Sequence, residues 1–165
     1  KEWSAVYYAA LSKIMLTYEE QNTDKKDAYL DEADELIRSA AGLSDKNNAK
    51  QQSEIYAITA MAANARIGVD PQKRWRKYGK IFEDNLEQAK AQNVENPRIY
   101  FLKGTSTFYT PKAFGGGKKK ALEYFERAKE YFDMEQKNDI MVPYWGAETN
   151  EYFLKQCQDT DENAE

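Results

Sequence analysis

An all-α protein built of antiparallel helix hairpins is the fold class predicted, on three observations. Apolar residues recur at spacings of three, four and seven through successive segments of the chain, the stripe of an amphipathic helix. Asp70-Pro71 and Asn96-Pro97 supply a capping side chain followed by proline at the first helical position, where the missing N–H costs nothing. No segment alternates apolar and polar residues for long enough to argue for a strand. About three hairpins and a C-terminal capping helix are expected, in a single domain over residues 1–158. An acidic tail, 159–165, holds Asp159, Asp161, Glu162 and Glu165 and is expected to fray.

The first helix is expected over 3–20, with Trp3, Tyr7, Ala10, Leu11, Ile14 and Tyr18 on one face. Asn22, Thr23 and Asp24 can cap the second, which runs to about Ala41 with Leu30, Ala33, Ile37 and Ala40 inward and Gly42 as its left-handed stop. A third, from about Asp45 to Ile67, carries rows of Ile and Ala that let neighbours approach closely, and Gly68 should end it. The fourth places Trp75, Tyr78, Phe82, Leu86 and Ala89 along one seam. A fifth opens at Asn96-Pro97 and must stop near Thr110, because Pro111 disfavours helix in the residue before it. The sixth buries Ala121, Phe125, Ala128 and Phe132. A terminal helix near Tyr152, Phe153 and Cys157 closes the set.

Composition narrows the chemistry. The chain has 165 residues, 41% hydrophobic and 32% charged, with a net charge of -4, so the global field demands neither nucleic acid nor an acidic membrane. No apolar run approaches the roughly 20 residues that span a bilayer. The sequence begins at Lys1, and a signal or anchor removed from ahead of it would make the protein exported or periplasmic; otherwise it would be cytoplasmic. Any membrane attachment is expected through such an anchor. Histidine is absent and Cys157 is the single cysteine, which removes Ser-His and Cys-His nucleophiles, imidazole metal ligands and an internal disulfide. No enzyme activity, metal or cofactor is expected.

Three second helices share a step of four and then three: Ala33, Ile37, Ala40; Phe82, Leu86, Ala89; and Ala121, Phe125, Ala128. The small-large-small order of the first and third triplets, with Phe82 standing where a small residue is usual in the second and with Tyr100 and Gly104 as the aromatic and small residue of a first helix, resembles the tetratricopeptide repeat. The stretch Asn96-Pro97, Thr110-Pro111 and Phe114-Gly115-Gly116-Gly117-Lys118 is similar to one in uncharacterised exported bacterial members of that kind. The likeness covers residues 96–132 best. It implies stacked hairpins in a short right-handed solenoid whose groove binds proteins or peptides, and it carries no catalytic residues.

The site candidates follow. Tyr7, Tyr8, Tyr56 and Tyr100 lie on first helices, which line the inner surface in that family, and are expected in the groove. The Gly-rich loop could offer the backbone N–H groups of Gly116 and Gly117 to an anion, with Lys118, Lys119 and Lys120 adding charge. It lacks the spacing and the Ser or Thr of a nucleotide-binding P-loop. Its structural reading has Pro111 turning the chain and Phe114 inserted between the two helices. Lys73, Arg74, Arg76, Lys77 and Lys80 surround Trp75 and Tyr78, and of these Arg74 and Lys77 are candidate partner contacts. Asp31, Asp34 and Glu35 share one helical turn and could in principle hold a hard cation, though a solvated helix face is the ordinary reading. The expected function is a non-catalytic protein- or peptide-binding scaffold with no nucleic-acid partner; the alternative is recognition of a small molecule such as a glycan through exposed aromatics.

Overall fold

A computed structural model of the chain describes residues 2–135, 139 and 141–159. Asp161, Glu162 and Glu165, part of the expected frayed tail, lie outside them. Among the described residues every regular element is helical. They are α1 (Trp3–Glu19), α2 (Thr23–Leu43), α3 (Ala49–Val69), α4 (Pro71–Gln92), α5 (Pro97–Tyr109), α6 (Lys118–Met134) and α7 (Ala147–Gln158), with a 3-10 turn at Lys112–Phe114. The chain divides into two compact units, Lys1–Val94 and Glu95–Glu165.

In the first unit α1 pairs with α2 and α3 with α4, and α3 also packs on α1 and α2. Because α3 is enclosed from several sides, it is buried almost all round, and its small Ala57, Ala60, Ala62, Ala63 and Ala65 let the neighbours close in. Ile14, Leu30 and Ile58 are fully buried between them. Burial of such a side chain contributes about 1.5–3 kcal/mol relative to leaving it exposed. Ser53 Oγ donates to the Ala89 carbonyl at 2.9 Å and ties α3 to the end of α4.

The caps act as their chemistry requires. Asn22, Asn48, Asp70 and Asn96 accept from the N–H groups of Lys25, Gln51, Lys73 and Arg98. The two expected glycine stops are corrected: Gly42 and Gly68 lie inside α2 and α3, neither with a positive φ. α2 ends instead at Ser44, whose N–H bonds to Ala40, and packing carries α3 on to Val69. The start of α3 is corrected too, since the chain turns through 45–48 before Ala49.

The second unit is an α5–α6 hairpin with α7 laid on α6. Close approach is set by Gly104: a Cβ there would lie 2.6 Å from the buried Phe125 ring. Arg98, fully buried, is the other fastener. Its guanidinium donates to Glu135 at 2.6 Å and to the Pro143 carbonyl at 2.8 Å, and lies near the Phe132 and Trp145 rings, 5.7 and 5.4 Å from their centroids. This ties both ends of the α6–α7 connection to α5. Asn150 Nδ2 donates to the Phe125 carbonyl at 2.9 Å and fixes α7 on α6.

Candidate functional site

The strongest concentration of aromatic surface is on the second unit. Phe125 of α6 and Phe153 of α7 stack with ring centroids 5.1 Å apart and planes 7° from parallel. Three rings are set on edge around Phe153: Phe108 at 5.1 Å, Tyr109 at 6.1 Å and Tyr152 at 5.5 Å. Phe125 is fully buried, whereas Tyr109 is 73% and Tyr152 58% exposed. An aromatic ledge therefore runs from the core to solvent, held rigid at its root by the stack. Lys118 Nζ lies 5.7 Å from the centroid of the Phe108 ring and puts a positive charge beside it. Neither Tyr109 nor Tyr152 is among the groove candidates of the sequence; a tyrosine at a helix end reads the same whether its ring turns inward or outward.

Cys157 is close by but is not a reactive thiol. Burial pushes its pKa up, and the nearby Lys118 only partly opposes this. A recess of about 190 Å3 beside α6 and α7 is smaller than the ~300 Å3 at which small-molecule pockets begin. Its Lys129 is already paired with Glu151 and Asp133, at 2.7 and 3.1 Å. That recess is lined by other residues than the aromatic ledge, whose outer rings, Tyr109 and Tyr152, are exposed.

The Gly-rich loop is constructed differently from either expectation. Gly115, Gly116 and Gly117 donate their N–H groups to the carbonyls of Lys112, Pro111 and Thr107, at 3.0, 3.2 and 2.9 Å. The expected anion contacts from Gly116 and Gly117 are corrected accordingly, because those donors are already used. Gly115 and Gly117 hold φ of 82° and 104°, and a Cβ on Gly116 would run into Thr110 and the Thr107 carbonyl. All three glycines are required by backbone geometry. Phe114 is also corrected. It is 81% exposed at the end of the 3-10 turn, while Gly116 packs against Thr107 and Thr110 at the end of α5. Lys119 and Lys120 are exposed and Lys118 is half-buried.

The tyrosines chosen as groove candidates do not gather. Tyr7 is fully buried and its hydroxyl donates to Glu54 at 2.9 Å, so it serves the core of the first unit and is corrected as a surface contact. Tyr8 and Tyr56 are half-buried. Tyr100 lies 5.3 Å from Tyr131, and burial raises its pKa.

In the basic cluster, Arg74 is tied by two hydrogen bonds, 2.6 and 2.7 Å, to Asp27, which corrects it from partner contact to internal fastener. Lys77 lies 5.0 Å from the Tyr78 ring centroid and Arg76 5.2 Å from that of Trp75. Asp31 and Asp34 converge, but on Arg66, at 2.8 and 2.6 Å. Among the described residues no group of three or more His, Cys, Asp or Glu could hold a metal ion. No helix there is long and apolar enough to cross a membrane.

No protein-family model matches the chain, and no curated protein does. A solved structure is similar to it: the HusA haemophore from Porphyromonas gingivalis, with a TM-score of 0.81 and 34% sequence identity, over 96% of this chain and 76% of that one. That protein is, by its name, a carrier of haem, which is a small molecule. The similarity overturns the expectation of a protein or peptide as the partner. It supports the alternative of a small molecule met by aromatic side chains.

Proposed function

The chain belongs to the family of the HusA haemophore, and from that premise we propose that it is a non-catalytic, exported carrier of haem or a closely related porphyrin. The aromatic ledge of the second unit is where the cargo binds. One observation carries the assignment: a buried Phe125–Phe153 stack leads outward to exposed Tyr109 and Tyr152, with Lys118 beside it. A porphyrin offers large flat π-faces and two carboxylates on one edge. Rings held by the stack supply area against the macrocycle at little cost in side-chain entropy. Lys118 supplies the charge for a propionate.

The chain has no histidine, and its one cysteine is buried with a raised pKa. Two of the usual protein ligands of haem iron, histidine and a thiolate, are therefore not on offer, and this reading places recognition on the macrocycle and its carboxylates. The test is a titration of the protein with haemin and with metal-free protoporphyrin, read by absorbance and by quenching of tryptophan fluorescence. Both should saturate with similar affinity. Tyr109→Ala combined with Tyr152→Ala should weaken binding about ten-fold, the value of one or two lost aromatic contacts. Lys118→Gln should weaken protoporphyrin several-fold and leave its dimethyl ester unaffected. Absence of saturable binding to both macrocycles, or wild-type affinity in the double tyrosine variant, would refute the assignment.

A further inference from the structure

We propose that the loop between α5 and α6 docks the protein on an anionic lipid surface, with Phe114 entering the apolar boundary and Lys112, Lys119 and Lys120 meeting lipid phosphates. Phe114 stands at the end of a 3-10 turn, 81% exposed. It is held there by a loop whose backbone is pinned at Phe114, Gly115, Gly116 and Gly117 by four hydrogen bonds to carbonyls of residues 107–112. Gly116 is seated against Thr107 and Thr110, with no room for a Cβ. An outward phenylalanine on a pinned loop, with lysines on either side of it in the chain, combines the apolar and cationic parts that an anionic interface takes up.

The charge around it specifies the occupant. Lys112, Lys119 and Lys120 are exposed, and among the described residues none of the three is within ion-pair distance of a carboxylate. Lys118 to Lys120 also crowd the first turn of α6, where the helix dipole disfavours cations and Gly117 provides no side-chain cap. The glycine donors are consumed internally, so a single phosphate ion finds no built cradle. An extended anionic surface needs none: it offers many phosphates to the lysines and an apolar layer to the ring. A nucleic-acid strand would need a groove that tracks its backbone, and one exposed phenylalanine with a short lysine run does not form one. The inference is independent of the haem assignment and revises the expectation that only a removed anchor could reach a membrane.

The test is co-sedimentation of the purified protein with vesicles of phosphatidylcholine alone and of phosphatidylcholine mixed with phosphatidylglycerol, at low and raised salt. Binding should require the anionic lipid and weaken with salt. Phe114→Ser should lower partitioning about ten-fold or more, as expected for removing one inserted aromatic. Lys119→Gln with Lys120→Gln should lower it ~30-fold, at the usual contribution of a lysine near an anionic surface. All the substituted side chains are exposed, and circular dichroism melts should match the wild type. Phe114→Trp should be quenched by lipids brominated on their acyl chains. The inference is overturned by equal binding to both vesicle types, or by wild-type partitioning of Phe114→Ser. It is equally overturned by binding to heparin or an oligonucleotide without binding to vesicles. Haemin titration of Phe114→Ser should give the wild-type affinity; loss of haemin binding with retained vesicle binding would assign Phe114 to the cargo and end the docking assignment.

Discussion

Single residues decide how closely the hairpins of each unit approach. Gly104 lets α5 lie against the Phe125 ring, and because that ring is fully buried it has nowhere to retreat from an added Cβ at 2.6 Å. Gly104→Ala is expected to destabilise the protein by about 1–3 kcal/mol, the usual cost of overpacking, measured as a fall in the urea midpoint at unchanged slope. Charge acts similarly in the first unit. The hydrogen bonds from Arg74 are the main cause holding the Asp27 carboxyl below its usual range. A carboxyl whose folded pKa is depressed adds stability above its unfolded value, about 3.9, and loses it as pH falls through the folded value. Asp27→Asn should therefore cost about 1 kcal/mol at neutral pH, and the gap to wild type should close in urea melts as pH falls below the unfolded value and through the depressed folded one. A gap that stays constant with pH would show that the pair is not responsible.

At the scale of an element, the first turns of α4 and α6 both carry cations against the helix dipole, and they resolve the conflict in different ways. In α4, Asp70 caps the N–H of Lys73 at 3.2 Å and also pairs with its Nζ, while Arg74 is neutralised by Asp27. α6 has no such partners: Gly117 caps without a side chain and the first turn holds no acid. Lys119→Glu should accordingly raise the stability of the protein by about 0.3–1 kcal/mol, read as a higher melting temperature, while removing its affinity for anionic vesicles. A stabilised variant that still binds those vesicles would separate the lysine from docking. Helix starts were legible at Asp70 and Asn96, where a capping side chain is followed by proline, and misplaced at Asn48, where the cap stands without one. Helix stops were misread at Gly42 and Gly68, where tertiary packing of α2 and α3 outweighs the local preference of glycine to stop a helix.

For the molecule as a whole, sequence by itself determined the all-α class, the caps at Asn22, Asp70 and Asn96, and the greater part of the core. Ile14, Ile37, Phe82, Leu86, Phe125 and Ala128 were all placed inward from periodicity and all are buried. Periodicity reports which face of a helix is apolar, and that face must be covered. The absence of histidine likewise restricted the chemistry before any fold was known. Only the tertiary structure decided which aromatics remain outside. Tyr7 and Tyr109 are the same residue type on helices of similar pattern, yet one is sealed against Glu54 and the other stands in solvent beside Phe153. Phe114, expected within a hairpin, stands outward at the end of the 3-10 turn, while Gly116 lies against the end of α5. The physical reason is common to both cases: exposure depends on which other elements occupy the adjacent space, and that is a property of three-dimensional packing that the spacing of residues along one helix does not encode.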